Sequence, residues 1–148
     1  ETGVCVMDVK EGLDTGGVYA RATVPIGPRQ TAAELRRELV EVGTRLLVDT
    51  LAAGLGTPEP QVGEPVYAAK IDPAELRIDW ARPAVEIDRL VRLGGAWTTW
   101  RGKRVKILAG ELEHDRFVPT RVQPEGRPAM AYDAWRNGAQ PAPGEWFE

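Results

Sequence analysis

The spacing of apolar positions changes repeatedly along the chain, and each change marks a new element. Residues 3–9, Gly-Val-Cys-Val-Met-Asp-Val, are apolar and β-branched enough to read as a buried strand, with Cys5 as an inert small hydrophobe in it. Turn residues from Lys10 to Gly17 interrupt the pattern, and an extended run resumes over Val18 to Ile26. Thr31-Ala-Ala-Glu34 has capping-box spacing, in which the threonine hydroxyl accepts the third amide and the glutamate reaches back to the cap, so a helix starts there. Leu35, Leu39, Val42, Leu46 and Leu51 follow along one face until Gly54 and Gly56 stop the run. The opening third therefore reads β-loop-β-α.

Residues 56–73 carry Pro58, Pro60, Pro65 and Pro73 with little periodicity, which reads as a linker. A helix is predicted over Asp79 to Leu93, with Pro83 in its first turn, Val85, Ile87, Leu90 and Val91 apolar, and Gly94-Gly95 as the stop. The period then falls to two. Ala96 to Trp100 and Lys103 to Leu108 read as strands around Arg101-Gly102, a hairpin signature, and Phe117 to Val122 as a third strand. Pro124, Gly126 and Pro128 break the chain before a short helix over Ala129 to Arg136, capped by Asn137-Gly138, and a tail of low complexity at Gln140 to Gly144.

With 43% hydrophobic and 28% charged residues among 148, the composition is too apolar for intrinsic disorder. No apolar run approaches the roughly 20 residues a bilayer span needs, and no charged-then-apolar leader opens the sequence. One cysteine and one histidine cannot supply an internal disulfide or a structural zinc site, so no metal is expected and the cytoplasm is the expected compartment. The opening on Glu1-Thr2, without a methionine and already in strand-like sequence, suggests a piece of a longer protein. Net charge is −3, yet residues 77–106 hold eight basic and three acidic side chains and are locally +5.

Asp14 lies in Glu11-Gly12-Leu13-Asp14-Thr15-Gly16-Gly17, where glycines let a backbone approach a ligand closely; the residues alone leave it between a turn role and a catalytic carboxylate. His114, among acidic neighbours, reads as a loop histidine, with general-acid chemistry as the alternative. Arg101, Lys103, Arg104 and Lys106 surround a hairpin that also holds Trp97 and Trp100. Such a set can bind phosphates and stack bases, or simply combine a tryptophan core with a solvated basic face.

The whole opening stretch, Glu1-Thr-Gly-Val-Cys-Val-Met-Asp-Val-Lys-Glu-Gly-Leu-Asp-Thr-Gly-Gly-Val-Tyr19, resembles the folate-loop region of methionyl-tRNA formyltransferases. The same order of landmarks continues in Tyr67-Ala-Ala-Lys-Ile71, Arg77-Ile-Asp-Trp80, Gly95-Ala-Trp-Thr98, Val122-Gln-Pro-Glu-Gly126 and Met130 to Gly138, so the resemblance spans nearly the whole chain. It implies an incomplete Rossmann-like α/β formyltransferase domain over residues 1–55, a linker over 56–74 and a small β-barrel, OB-like domain over 75–148. It implies formyl transfer from 10-formyltetrahydrofolate to the amino group of methionyl-initiator tRNA. Asp14 then matches the catalytic aspartate, Val9, Lys10, Glu11, Gly12 and Leu13 match the loop lining the pterin, and Lys70 lies in the linker that faces tRNA. Arg101, Lys103, Arg104 and Lys106 fall on the domain that helps hold tRNA.

Such chemistry must remove an amine proton and stabilise an oxyanion, and one carboxylate serves only the first task. The family supplies an asparagine and a histidine upstream of its aspartate, whereas Asn137 and His114 here lie far downstream. The missing N-terminal half of the catalytic domain is thus an implied partner, and the chain alone is expected to be inactive. The family also has more residues than this chain near Asp115. An amino-sugar-nucleotide formyltransferase and a non-catalytic nucleic-acid-binding module are the alternatives.

Overall fold

A computed structural model of the chain describes residues 1–64 and 66–148. Pro65, one of the four linker prolines, lies outside the described residues. The chain divides into two units, Glu1–Ala68 and Ala69–Glu148, both mixing helix and antiparallel sheet.

In the first unit β1 (Thr2–Met7) pairs antiparallel with β2 (Val18–Val24), and the register slips between Val6 and Met7. Helix α1 (Ala32–Ala53) opens on the predicted capping box: the Thr31 hydroxyl accepts the Glu34 N–H at 3.2 Å, and the Glu34 carboxylate accepts the Thr31 N–H at 2.9 Å. That backbone hydrogen bond, followed by one from the Thr31 hydroxyl, holds the Glu34 carboxyl below its usual range. The helix lies on one face of the hairpin, where Gly43 packs on Val4. This one-sided cover corrects the reading of β1 as a buried strand. Val4 and Val6 are half-buried toward α1, while Cys5 points away and is exposed. Leu51 is corrected too. At 100° per residue it sits about 160° round the helix from Leu35 and is exposed, whereas Leu39, Val42 and Leu46 stay on the half-buried stripe.

In the second unit α2 (Ala84–Leu93) starts five residues later than its pattern predicts. The Asp79 carboxylate accepts the Ala81 N–H at 3.0 Å and turns the chain, Arg82 is kept out of helical geometry by the following proline, and Pro83 itself is extended (φ −53°, ψ 138°). Ile87 and Val91 bury the inner face, together with Asp88, which Arg92 holds through its Nε at 2.9 Å.

Strands β3 (Trp97–Trp100), β4 (Lys103–Glu113), β5 (Arg116–Pro124) and β6 (Met130–Ala131) form one antiparallel sheet in that order. Arg101-Gly102 closes the first hairpin with both residues at positive φ (47° and 72°), as a two-residue primed turn requires. β4 continues past Leu108, and His114-Asp115 closes it tightly onto β5. Among the described residues β3 and β6 do not pair, so the sheet is open where a closed barrel was expected. The outer edge of β3 is instead occupied at both ends: Leu76 to Ile78 bond to Trp97, and Glu148 exchanges backbone hydrogen bonds with Thr99.

Because Met130-Ala131 pairs with β5, α3 (Tyr132–Ala139) begins after it and runs through Asn137 and Gly138 to Gln140, which takes the left-handed cap. The tail beyond is part of the core. Phe147 stacks on Trp80 at 5.3 Å and on Trp135 at 5.1 Å between ring centroids, over the inner face formed by Val105, Ile107 and Val122. No helix among the described residues is long and apolar enough to cross a membrane.

Candidate functional site

The loop between β1 and β2 carries Asp14, and a set of braces holds its two ends. The Asp8 N–H donates to the Gly17 carbonyl at 2.8 Å, and the Thr15 hydroxyl donates to the Gly12 carbonyl at 3.0 Å. A Cβ at Gly16 would collide with the Asp8 carbonyl oxygen, so only glycine lets the chain return here. Asp14 itself stands at φ 54°, a left-handed conformation that aspartate tolerates better than most residues.

Gln61 is the part of this loop that sequence reading misses. Its side-chain amide donates to the carbonyls of both Asp14 and Gly16, each at 2.7 Å. Glu59, two residues before it, exchanges backbone hydrogen bonds with Val18 at 2.8 and 2.9 Å, which brings the segment alongside β2. Nothing periodic marks a contact across some 45 residues, and the turn chemistry of the loop is the only hint that it needs a strut.

Between the braces the loop stays open. The backbone groups of Val9, Lys10 and Glu11 have no hydrogen-bond partner among the described residues, and Val9 and Leu13 are 92% and 93% exposed. The Asp14 carboxylate likewise makes no hydrogen bond or ion pair among them. A carboxylate on a backbone fixed from three sides, beside a run of free amides and carbonyls, can accept a proton from a bound amine while the backbone reads a polar heterocycle. His114 and Asn137 lie in the other unit, at the β4–β5 turn and in α3. Among the described residues no group of three or more His, Cys, Asp or Glu side chains is placed to hold a metal.

The second unit gathers most of the basic candidates on its sheet. Trp97 pairs with Lys106, Lys106 with Gln123, and Thr99 with Arg104, so these five residues share the face opposite the core. Lys103, Arg104 and Lys106 are exposed and form no ion pair among the described residues. Arg101 differs. Its Nε and Nη2 donate to the two Glu145 carboxylate oxygens at 2.7 and 2.8 Å, clamping the C-terminal segment to the turn. Hydrogen bonds from Arg101, then from the Ala142 N–H, hold the Glu145 carboxyl down at about 2, and the same pair raises the Arg101 guanidinium. Lys70 is exposed, three residues before Pro73, whose carbonyl accepts the Trp97 indole N–H at 2.8 Å.

Two family models match in succession, Formyl transferase over residues 1–51 and Formyl transferase, C-terminal domain, over residues 70–120. The chain is similar to methionyl-tRNA formyltransferase of Dinoroseobacter shibae, 49% identical over 119 residues that cover 76% of this chain and 40% of that protein. To the methionyl-tRNA formyltransferase of Acidothermus cellulolyticus it is 38% identical over 194 aligned positions, covering 99% of this chain and 60% of the relative. That alignment is longer than the chain, so the relative contains stretches this chain lacks. The chain thus spans between 40% and 60% of the length of these two relatives.

Solved structures give the same fold. Methionyl-tRNA formyltransferase from Clostridium thermocellum superposes with a TM-score of 0.69 at 17% identity, over 83% of this chain and 56% of that one. HypX from Aquifex aeolicus in complex with tetrahydrofolic acid does so with a TM-score of 0.69 at 18% identity, over 93% of this chain and 30% of that one.

Proposed function

We propose, from the premise that this chain belongs to the formyl transferase family, that it supplies the aspartate loop and the tRNA-holding unit of a methionyl-tRNA formyltransferase. The observation that carries the reading is the similarity to methionyl-tRNA formyltransferases through both units, over 99% of the chain in one relative. The proposed reaction moves a formyl group to the amino group of methionyl-initiator tRNA. The co-substrate 10-formyltetrahydrofolate supplies the formyl carbon, and the tetrahydrofolic acid bound by the structural neighbour supports a folate here.

In this reading Asp14 orients the attacking amine and takes its proton, a step that a neutral amide cannot perform. The braces from Gln61 keep the carboxylate from wandering, which matters because a misplaced base loses much of its effect. Val9, Lys10 and Glu11 offer their open backbone groups to the polar edge of the pterin, with Gly12 and Leu13 completing the loop. Lys70, Lys103, Arg104 and Lys106 take tRNA phosphates; Arg101 belongs to the same strip, but Glu145 already answers its charge.

The missing N-terminal half of the catalytic domain supplies the asparagine and histidine that polarise the formyl oxygen, and the place of action is the cytoplasm. The first unit is then the end of a Rossmann-like domain. The second is an OB-related module, a reading supported by the long β4 with its register irregularities. The test is a formylation assay on the protein that includes the upstream half, with methionyl-initiator tRNA and an amino-sugar nucleotide as competing acceptors. Formyl label on the tRNA is expected, and label on the sugar nucleotide alone would overturn the assignment.

A further inference from the structure

We infer that Trp97, Arg104 and Arg77 form a stacking site for an unpaired nucleobase on the exposed face of the β3–β4 sheet. This rests on the proposed RNA-binding role of the unit and adds to it two residues, Trp97 and Arg77, outside the basic hairpin strip. Trp97 and Trp100 differ by three positions in a strand and so face opposite ways. Trp100 is in the core against Trp135 and Phe147. Trp97 is on the outer face, half-buried, with its indole N–H tied to the Pro73 carbonyl so that the ring is fixed in orientation. The Arg104 guanidinium carbon lies 3.9 Å from the Trp97 ring centroid, and that of Arg77 lies 5.7 Å from it.

The Arg104 guanidinium over a pinned indole, with that of Arg77 further out, makes a cation–π cluster that already pays its ordering cost before a ligand arrives. A base can stack on the outer side of a guanidinium in it, as unpaired RNA bases do on arginine and aromatic planes. Charge and shape around the stack suit a nucleotide. Neither Arg77, Arg104 nor Lys106 has a carboxylate partner among the described residues, so adjoining phosphates find free cations. Beside Arg104 and Lys106 a depression of about 200 Å³ is lined also by Gln123, Pro124 and Glu125, whose amide and carboxylate can read a base edge. The Glu125 carboxylate accepts the Arg104 backbone N–H at 3.3 Å, which leaves the Arg104 side chain to the ring. Inside a duplex both faces of a base are covered by its stacked neighbours, so the site takes single-stranded or looped RNA in preference to duplex.

The test uses the 148-residue chain and fluorescence anisotropy with a labelled single-stranded oligoribonucleotide and a blunt duplex of equal length, each across a salt series. Arg104→Lys keeps the charge and removes the plane, Trp97→Leu keeps apolar bulk and removes the ring, and Trp97→Phe keeps a ring; thermal midpoints check folding. Arg104→Lys and Trp97→Leu should weaken single-strand binding about 10- to 100-fold with an unchanged salt slope. Duplex binding should stay as in the parent chain, and Trp97→Phe should retain most of the single-strand affinity. Parental single-strand affinity in both Arg104→Lys and Trp97→Leu, or equal losses on both RNAs, would overturn the stacking site and leave the phosphate strip standing. Failure of the parent chain to bind either RNA would overturn the strip and the stacking site together.

Discussion

Replacing Gln61 tests whether the loop that carries Asp14 is held in advance or merely passes through the observed form. Gln61 contributes two hydrogen bonds of 2.7 Å, one to the carbonyl of exposed Asp14 and one to the carbonyl of buried Gly16. A hydrogen bond is worth about 0.5–1.5 kcal/mol net, so the pair sums to about 1–3 kcal/mol. The Asp8–Gly17 and Thr15–Gly12 bonds remain, so the loop should loosen without melting. An energy of that size shifts the ratio of braced to open loop about 5- to 150-fold. Lys10 lies within the loop, and native-state trypsin cleavage after it reports the open population when opening is fast relative to cleavage. Gln61→Ala should raise that cleavage rate about 5- to 150-fold while the global unfolding midpoint barely moves. Gln61→Glu should do the same at neutral pH, because a carboxylate of equal size accepts but cannot donate. Cleavage at the parental rate in both variants would show that Gln61 is not the strut.

Three further outcomes follow from other parts of the molecule. Replacing Lys103, Arg104 and Lys106 together with alanine should flatten the salt dependence of tRNA binding by up to about three units, whereas Arg101→Ala, already paired to Glu145, should change the slope little; filter binding across a salt series measures both. Thr98 is fully buried, accepts the Trp80 indole N–H at 2.9 Å and donates to the Glu148 carbonyl at 2.8 Å, so Thr98→Val should cost about 2–4 kcal/mol in urea unfolding. Glu145 has its carboxyl depressed to about 2 in the folded chain, so its contribution is present above the unfolded carboxylate value near 4.3 and is lost as pH falls toward about 2; Glu145→Gln should remove that part of the acid limb, read as stability against pH.

Local grammar was legible in the sequence and distant partnership was not. Thr31 and Glu34 announce the start of α1 because both halves of the cap lie within one turn, and Arg101-Gly102 announces its hairpin because the turn demands positive φ at both positions. The parity of Trp97 and Trp100 already separates them onto two faces, and the pairing of Val105 and Ile107 with the core decides which face is wet. By contrast, Ala109-Gly110-Glu111-Leu112-Glu113 has no strand-like pattern and is extended because β5 pairs with it. Phe147 enters the core from a tail rich in proline and glycine, and only tertiary contact with Trp80 and Trp135 recruits it. The candidate site divides in the same way. Asp14 and its glycines stand together in the chain, whereas Gln61 and the Arg101–Glu145 pair join positions some 45 residues apart.

The most direct test of the proposed chemistry is single-turnover formylation of methionyl-initiator tRNA by the protein that includes the upstream half, with Asp14 changed to asparagine. Removing a general base typically costs about 100- to 10,000-fold, and the rate should fall by that factor while tRNA affinity and the unfolding midpoint stay at their parental values. A rate within about threefold of the parent would contradict a catalytic Asp14 and return it to the role of a loop residue.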